Sequence, residues 1–291
     1  MAAIPFTKVV GTGNDFFIVD ARRRRFPGVA WRALSRAVCD RRAGIGADGI
    51  LVLEPSKAAD ARMRIFNADG SEAQMCGKGA RCVARYIRDK RQKTKDRRQE
   101  TRNGHVTIET GAGQLAASVR GERVALTMTP PTGLRLREIL PVDGRRFEAG
   151  VLNTGVPHVV VPVASLDRVD VVTLGRRIRQ HRRFAPHGTN VNFIQSRGRN
   201  RVRIRTYERG VEGETRSCGT GIVASAIIAS LRRSSTPGRR RVEVRPRSGD
   251  RLAVSFAVAR SRRRIQVRDV VLEGAATRVF DGTIQWQGRR R

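Results

Sequence analysis

The sequence predicts an α/β chain made of two related halves, each combining short strands with two helical stretches. Two observations carry that expectation. A cysteine–glycine motif occurs twice, as AQMCGKGARC (73–82) and TRSCGTGIVASA (215–226), with Cys76 and Cys218 standing 142 positions apart. The same offset, applied without a gap, lays Thr12-Gly13 on Thr154-Gly155, Ala43 and Gly46 on Ala185 and Gly188, and Glu72 on Glu214. It also lays Ile50 to Val52 on the strand-like NFI at 192–194. Self-similarity at a fixed spacing over most of a domain marks a duplicated unit.

Each half then reads in the same order. A glycine turn leads into an apolar strand (16–19; 158–163), followed by a helical stretch (30–40; 168–180). Two more strands follow (50–53 and 62–66; 191–195 and 201–207), recognised as short runs rich in β-branched and aromatic residues. A polar loop delivers the cysteine to a second helix (76–90; 218–232). Strands close each half: HVTIET, QLAASVR and VALTMT in the first, RVEVRP, LAVSFAV and IQVRDVVLE in the second. The charged interval 88–102 reads as a helix end and solvated loop, and TPPTG (129–133) as a turn near the seam.

A chain of 291 residues, 39% hydrophobic, is long enough for one large domain or two ordinary ones. Its apolar runs have strand length, not membrane length, and no membrane partner is expected. The opening MAAIPFTKVV has no charged stretch followed by an apolar one, so no secretory signal is expected. Four cysteines do not make a disulfide framework, and Cys76 and Cys82 share one predicted helix; a reducing, cytoplasmic setting follows. The formal charge of +33 comes almost wholly from arginines, in scattered runs such as ARRRRF (21–26), RQHRRF (179–184) and the terminal GRRR. Such charge attracts nucleic acid weakly and without sequence preference, but the runs lack the interleaved aromatics of a base-stacking surface.

Two patterns lead nowhere. GIGADG (44–49) has the glycine spacing of a dinucleotide loop, yet a helical stretch precedes it and a strand follows, the reverse of what that loop needs. His105, His158, His181 and His187 show no paired spacing with the cysteines, and no Cys-x-x-Cys occurs, so no metal is expected.

The cysteines do lead to chemistry. Cys39 and Cys82 read as small buried hydrophobes. Cys76 and Cys218 instead precede helices, where unpaired backbone N–H groups and the macrodipole favour a thiolate. Such a position can lower a thiol from about 8.5 into roughly the 3.5–7.5 range. Gly77, Gly79, Gly219 and Gly221 let a carboxylate approach those N–H groups. Each half thus offers an ionisable thiol beside an anion cradle. One ionised and one protonated thiol, on opposite sides of a Cα–H centre, can remove a proton from one face and return one to the other. The helix starts would hold the carboxylate and stabilise the charge that grows on it.

With these residues, GTGNDFFIVD (11–20), GIGADG, FNADGSEAQMCGKGARC (66–82), NTGVPHVV (153–160), GTNVNF (188–193) and YERGVEGETRSCGTG (207–221) together resemble the diaminopimelate epimerase family. The motifs run in order from about residue 6 to residue 232. The resemblance implies a cofactor-independent epimerase of two pseudo-symmetric α/β (α+β) domains, each a barrel-like β-sheet around a central helix, with the active site in the cleft between them. It implies that the last strand, around DGTIQW, returns to the first domain. The halves then comprise residues 1–120 with 277–291, carrying Cys76, and 121–276, carrying Cys218.

By the same resemblance Cys76 and Cys218 are the catalytic acid and base. Substrate contacts fall to Asn14, Asn67, Gly77, Lys78, Asn190, Glu208, Arg209, Gly219 and Thr220, and adjustment of the thiols to His158 and Glu208. Arg209 can pair bidentately with a second carboxylate, and the asparagines offer donors and acceptors for an ammonium and a carboxylate. Read alone, Asn14, Asn67 and Asn190 serve equally as turn or loop-capping residues. Three positions depart from the family's pattern: Lys78 where asparagine is usual, Val156 for the asparagine of a Gly-Asn-Pro-His motif, and Gly49 for a glutamine of some members.

The implied reaction is interconversion of LL- and meso-diaminopimelate, a step towards lysine and cell-wall cross-links. A racemase of another amino acid on the same fold is the nearest alternative, although proline-racemase-like enzymes carry histidine where this chain has Lys78. A basic nucleic-acid-binding protein on a retained enzyme fold is the other. Oligomeric state is open, with a homodimer among the outcomes.

Overall fold

The computed structural model describes residues 2–93, 104–261 and 264–287. The end of the basic interval at 88–102 and the terminal arginines lie outside the described residues. Two compact units emerge, one of Met1–Leu126 with Gly274–Arg291, the other of Thr127–Glu273. No helix among the described residues is long and apolar enough to cross a membrane.

The first unit contains β1 (Ala2–Gly11), β2 (Asn14–Asp20), α1 (Trp31–Cys39), β3 (Gly49–Glu54), β4 (Ala61–Asn67), β5 (Glu72–Ala73) and α2 (Gly77–Lys93). It continues with β6 (His105–Thr110), β7 (Gly113–Arg120) and β8 (Arg123–Thr127). The second contains β9 (Thr132–Val142), β10 (Arg145–Asn153), β11 (Pro157–Pro162), α3 (Val171–Arg179), a 3-10 turn (Arg182–Phe184), β12 (Asn190–Ser196) and β13 (Arg201–Glu208). After β14 (Gly213–Thr215) and α4 (Gly219–Arg233) come β15 (Gly238–Arg245), β16 (Leu252–Ser261) and β17 (Arg264–Ala275). The chain closes with β18 (Thr277–Trp286), which pairs antiparallel with β1, so the last strand belongs to the first unit's sheet.

The strand order of the first unit is β18–β1–β2–β3–β4–β6–β7–β8, with β5 beside β4. That of the second is β9–β10–β11–β12–β13–β15–β16–β17, with β14 beside β13. The parallel pairs match as well, β2/β3 with β11/β12 and β4/β6 with β13/β15. Position β18 in one sheet corresponds to β9 in the other. In the second unit that strand is joined directly to its neighbour by an Asp143–Gly144 turn with φ of 50° and 73°, the left-handed pair that a two-residue hairpin requires.

Register refines the repeat. Phe16 pairs with Gly49, but His158 pairs with Asn190. Ile50 then faces Phe66 as Val191 faces Tyr207. The offset is therefore 142 at β2 but 141 through β3 and β4, and the constant, gapless spacing read from the sequence is corrected by one residue there. It returns to 142 after β4, where Phe66 faces Glu72 as Tyr207 faces Glu214. A duplicated ion pair agrees: Arg64 Nε lies 2.7 Å from Glu72 and Arg205 Nε 2.8 Å from Glu214.

In each unit one helix packs among the strands and one lies outside. α2 touches β1, β2, β4, β6, β7 and β18, and α4 touches β9 to β13, β15 and β16. Every residue of α4 from Gly221 to Leu231 except Ala229 is buried, which explains a helix of small and apolar residues with no polar face. The outer helices cover the opposite face: Leu34 and Val38 of α1 join Phe17, Val19, Ile50 and Val52, and Val171 and Ile178 of α3 join Val159, Val191, Phe193 and Tyr207. Covered on both faces, β3 and β12 read as nearly continuous buried runs.

Candidate active site

Side chains along β12 alternate between faces. Val191 and Phe193 join the cluster under α3, which leaves Asn190 and Asn192 on the other face of that strand. This alternation builds the site in the second unit.

In the first unit Cys76 stands just before α2, and its carbonyl accepts the Ala80 N–H at 2.8 Å. The Gly79 N–H donates to Cys76 Sγ at 3.4 Å. No acidic side chain lies in the first turn, so nothing of the helix's own competes there for an anion. A Cβ on Gly79 would sit 2.9 Å from Leu51 Cδ2 and 3.7 Å from Cys76 Cβ, so glycine is what lets the helix start seat against β3.

The turn before β2 is tied to the same helix. Thr12 has φ of 52°, a left-handed conformation that a β-branched residue rarely adopts. Its hydroxyl accepts from the guanidinium of Arg81, a fully buried residue of α2, at 2.5 Å. Asn14 follows, and its Oδ1 accepts from Lys78 Nζ at 2.5 Å. Asn67 closes β4 and donates from Nδ2 to Ser71 Oγ at 2.9 Å. Asn14, Lys78 and Gly77 are thus brought to the helix start with Cys76, whereas the Asn67 side chain bonds within its own loop and its carbonyl accepts from Ser35 Oγ of α1 at 2.7 Å.

The second unit repeats the plan with different chemistry. Cys218 caps α4 with extended backbone angles, and no acidic side chain lies in the first turn that follows. Its carbonyl accepts from the Ile222 N–H at 2.9 Å, and its Sγ lies 3.4 Å from Thr220 Oγ1. Thr154, in the turn after β10, donates to the carbonyl of Thr220 at 3.1 Å. A Cβ on Gly221 would overlap Asn192 Oδ1 and sit 3.4 Å from Cys218 Cβ, the counterpart of Gly79 against Leu51.

Asn192, packed against Gly221, leads on to His158, and His158 to Asn190 and Arg209. Asn190 pairs with His158 across the parallel β11/β12 ladder. Its amide donates to Pro157 O at 3.1 Å and accepts the Arg209 N–H at 2.9 Å, leaving one hydrogen and one lone pair for a ligand. The Arg209 guanidinium donates to His187 O at 3.3 Å. Glu208, half-buried at the end of β13, accepts the Glu212 N–H on its carbonyl at 2.9 Å. His158 is fully buried, and burial, with the nearby Arg209 charge, holds its ring far below the usual histidine range, at about 3. It is neutral at any physiological pH.

The two remaining cysteines are different. Cys82 is buried, with burial pushing its thiol up to about 12, and burial also raises Cys39. Of the departures, Lys78 is engaged by Asn14. Gly49 has no room for a side chain, since a Cβ would sit 2.5 Å from the Phe66 carbonyl. GIGADG forms the turn between α1 and β3, where the ammonium of Lys8 donates to the Gly46 carbonyl. Thr12, Arg81 and Asn192, with Thr206 whose hydroxyl donates to Asn192 Oδ1 at 3.1 Å, are polar residues of these clusters that sequence reasoning missed. The buried hydrogen-bonding of an arginine inside KGARC leaves no mark on the sequence.

Comparison with known proteins follows the same lines. The family model described as diaminopimelate epimerase matches residues 6–131 and 150–270. Curated diaminopimelate epimerases from Aquifex aeolicus and Methanocella arvoryzae are 37% and 39% identical, covering 96% and 98% of this chain and 97% and 98% of their own. That of Archaeoglobus fulgidus is 45% identical over 78% of this chain and 81% of its own. Among solved structures, a phenazine biosynthesis protein of the PhzF family from Bacillus anthracis shares the fold with a TM-score of 0.69 at 18% identity, covering 98% of this chain and all of its own. A probable proline racemase from Agrobacterium radiobacter does so with 0.66 at 18% identity, over 98% of this chain and 93% of its own.

Proposed function

Since the chain belongs to the diaminopimelate epimerase family, we propose that it interconverts LL- and meso-diaminopimelate by passing the α-proton between the thiols of Cys76 and Cys218. The observation that carries the reading is the duplicated helix start. In each unit a cysteine immediately precedes a helix whose first turn has no acidic side chain and whose third residue is a tightly packed glycine.

The thiolate of one cysteine takes the proton from Cα, and the thiol of the other returns one to the opposite face. The roles exchange in the reverse direction, so the enzyme needs no net proton input. As the proton leaves, charge grows on the α-carboxylate. The N–H groups of Gly77, Lys78, Gly219 and Thr220 are the donors suited to hold it, already oriented by the helices. Thr220 Oγ1, within reach of Cys218 Sγ, supports the sulfur by a hydrogen bond. Arg209 takes the far carboxylate, with Asn67 and Asn190 orienting the far amino-acid end, and Asn14 acts together with Lys78.

Many arginines are already ion-paired, among them Arg22 with Asp20, Arg41 with Asp15 and Arg205 with Glu214. The remaining surface charge supports only weak, salt-sensitive attraction to nucleic acid, separate from the catalytic groups. Incubating the purified protein with LL-diaminopimelate in heavy water tests the proposal. Deuterium enters the α-carbon as meso product forms; folded protein that exchanges no α-hydrogen contradicts it.

A further inference from the structure

Beside Gly221 in the second unit runs a buried polar chain whose equivalent positions in the first unit are apolar. Asn192 Nδ2 donates to Val159 O at 3.0 Å and lies 3.0 Å from His158 Nδ1, while Asn192 Oδ1 accepts from Thr206 Oγ1 at 3.1 Å. All three side chains are buried, His158 and Asn192 fully. A backbone carbonyl can only accept, so Val159 O requires the NH₂ group of Asn192 on its side and leaves the amide oxygen facing Thr206. Both amide hydrogens are then engaged, one of them pointing at His158 Nδ1. A nitrogen that faces a donor must be the bare one.

We infer that Asn192, oriented by Thr206 and Val159, is a positioning residue that fixes His158 as the neutral tautomer with its proton on Nε2. Among the described residues Nε2 has no hydrogen-bond partner, so its N–H is a donor kept available. A doubly protonated ring would set donor against donor at Nδ1.

The repeat sharpens the point. With the corrected register, the residues equivalent to His158, Asn192 and Thr206 in the first unit are Phe16, Leu51 and Ile65, all buried and apolar. Leu51 packs against Gly79 where Asn192 Oδ1 packs against Gly221. The same backbone therefore backs one cysteine-bearing helix start with hydrocarbon and the other with an amide and an oriented imidazole. Burying such a set is costly unless every member is satisfied, and glycine at 221 is what admits the amide oxygen. The two thiols are thereby made unequal within a symmetric frame.

The inference rests on the reading that His158 adjusts the catalytic thiols, and the test separates the two. The full chain is labelled with 15N-histidine, and the His158 ring nitrogens are assigned by comparison with His158→Gln. Wild-type protein should show a protonated-type Nε2 and a bare-type Nδ1. In Asn192→Asp an acceptor faces Nδ1, so the pattern should reverse, and kcat for diaminopimelate should fall at least about tenfold while KM changes much less. Asn192→Leu, which carries the side chain of the equivalent Leu51, takes the donor away from Nδ1 and should mix the two tautomers, which keeps the test open if Asn192→Asp does not fold. A proton on Nδ1 in the wild type, or a pattern unmoved in whichever of Asn192→Asp and Asn192→Leu folds, overturns the positioning role. Reversal of the tautomer with kcat unchanged overturns the reading that places His158 in the reaction.

Discussion

Lys78 Nζ lies 2.5 Å from Asn14 Oδ1, tying the first turn of α2 to the first residue of β2. The residue that departs from the family's usual asparagine is therefore not a loose surface cation. Its charge is held at the helix start whose N–H groups are proposed to take the substrate carboxylate, and its bond to the amide oxygen identifies Nδ2 as the other end of the Asn14 amide. Lys78→Met should raise KM for diaminopimelate by roughly ten- to a hundredfold, in line with the ~1.5–3 kcal/mol of a charge-assisted hydrogen bond, with kcat altered much less. Steady-state kinetics read this directly. A tenfold loss in kcat at constant KM would place the lysine in the chemical step.

Thiol reactivity should separate Cys76 from Cys39 and Cys82. Thiolate is the reactive form, and Cys82, pushed up to about 12 in the core, together with the raised Cys39, is almost entirely protonated at pH 8. Brief alkylation of native protein, followed by peptide mapping, should label Cys76 and leave Cys39 and Cys82 unmodified. Cys82→Ala should keep most of its turnover and lose on the order of 1 kcal/mol of stability from the lost packing. Labelling of Cys82 as fast as Cys76 would contradict this assignment.

Acid should unpick the entry to β2. Burial alone would raise the Asp15 carboxyl, but hydrogen bonds and charge from Arg41 and Lys8 outweigh it and hold it at about 2. A carboxylate lowered on folding contributes stability in full above its unfolded value near 4, and that contribution is lost as pH falls from about 4 to about 2. Its size is on the order of 1–2 kcal/mol after solvent screening. Asp15→Asn should be less stable than wild type at pH 7 and differ little from it at pH 2. Urea midpoints at the two pH values decide the matter; a difference that persists at pH 2 would assign the effect to packing.

Substrate choice should rest on Arg209. Its backbone is anchored by Asn190, and its guanidinium has one long bond to His187 O, so most of its donors remain for a carboxylate. Wild-type kcat/KM should be higher for diaminopimelate than for lysine, glutamate, histidine or proline. Arg209→Met should erase that preference, costing about 2–5 kcal/mol toward diaminopimelate. Faster wild-type turnover of any of the four would reassign the substrate.

The duplication and the cysteine-bearing helix starts are legible in the sequence because glycine and cysteine there serve sharp local needs. The strands buried on both faces are legible as apolar runs. β1 and β9 were not, for opposite reasons. β1 hides behind a proline and a lysine, and β9 reads as a polar stretch because its charged residues alternate with half-buried ones, in TGLRLREILPV. The one-residue slip at β3 and β4 is invisible because an apolar strand looks alike in either register, and only paired partners reveal it. For the same reason Asn192 and Thr206 read as ordinary polar strand residues. They become a unit only when pairing sets them opposite each other, beside a histidine that was itself legible.

The central claim is that Cys76 and Cys218 act as one proton-transfer unit. Its most direct test is the rate of LL- to meso-diaminopimelate conversion in Cys76→Ala, Cys218→Ala and the double variant, each shown to be folded. Both single variants should lose at least about a thousandfold in kcat, and the double variant should be no worse than either, as groups that act together lose activity non-additively. A single variant that keeps about a tenth or more of wild-type turnover would contradict the account.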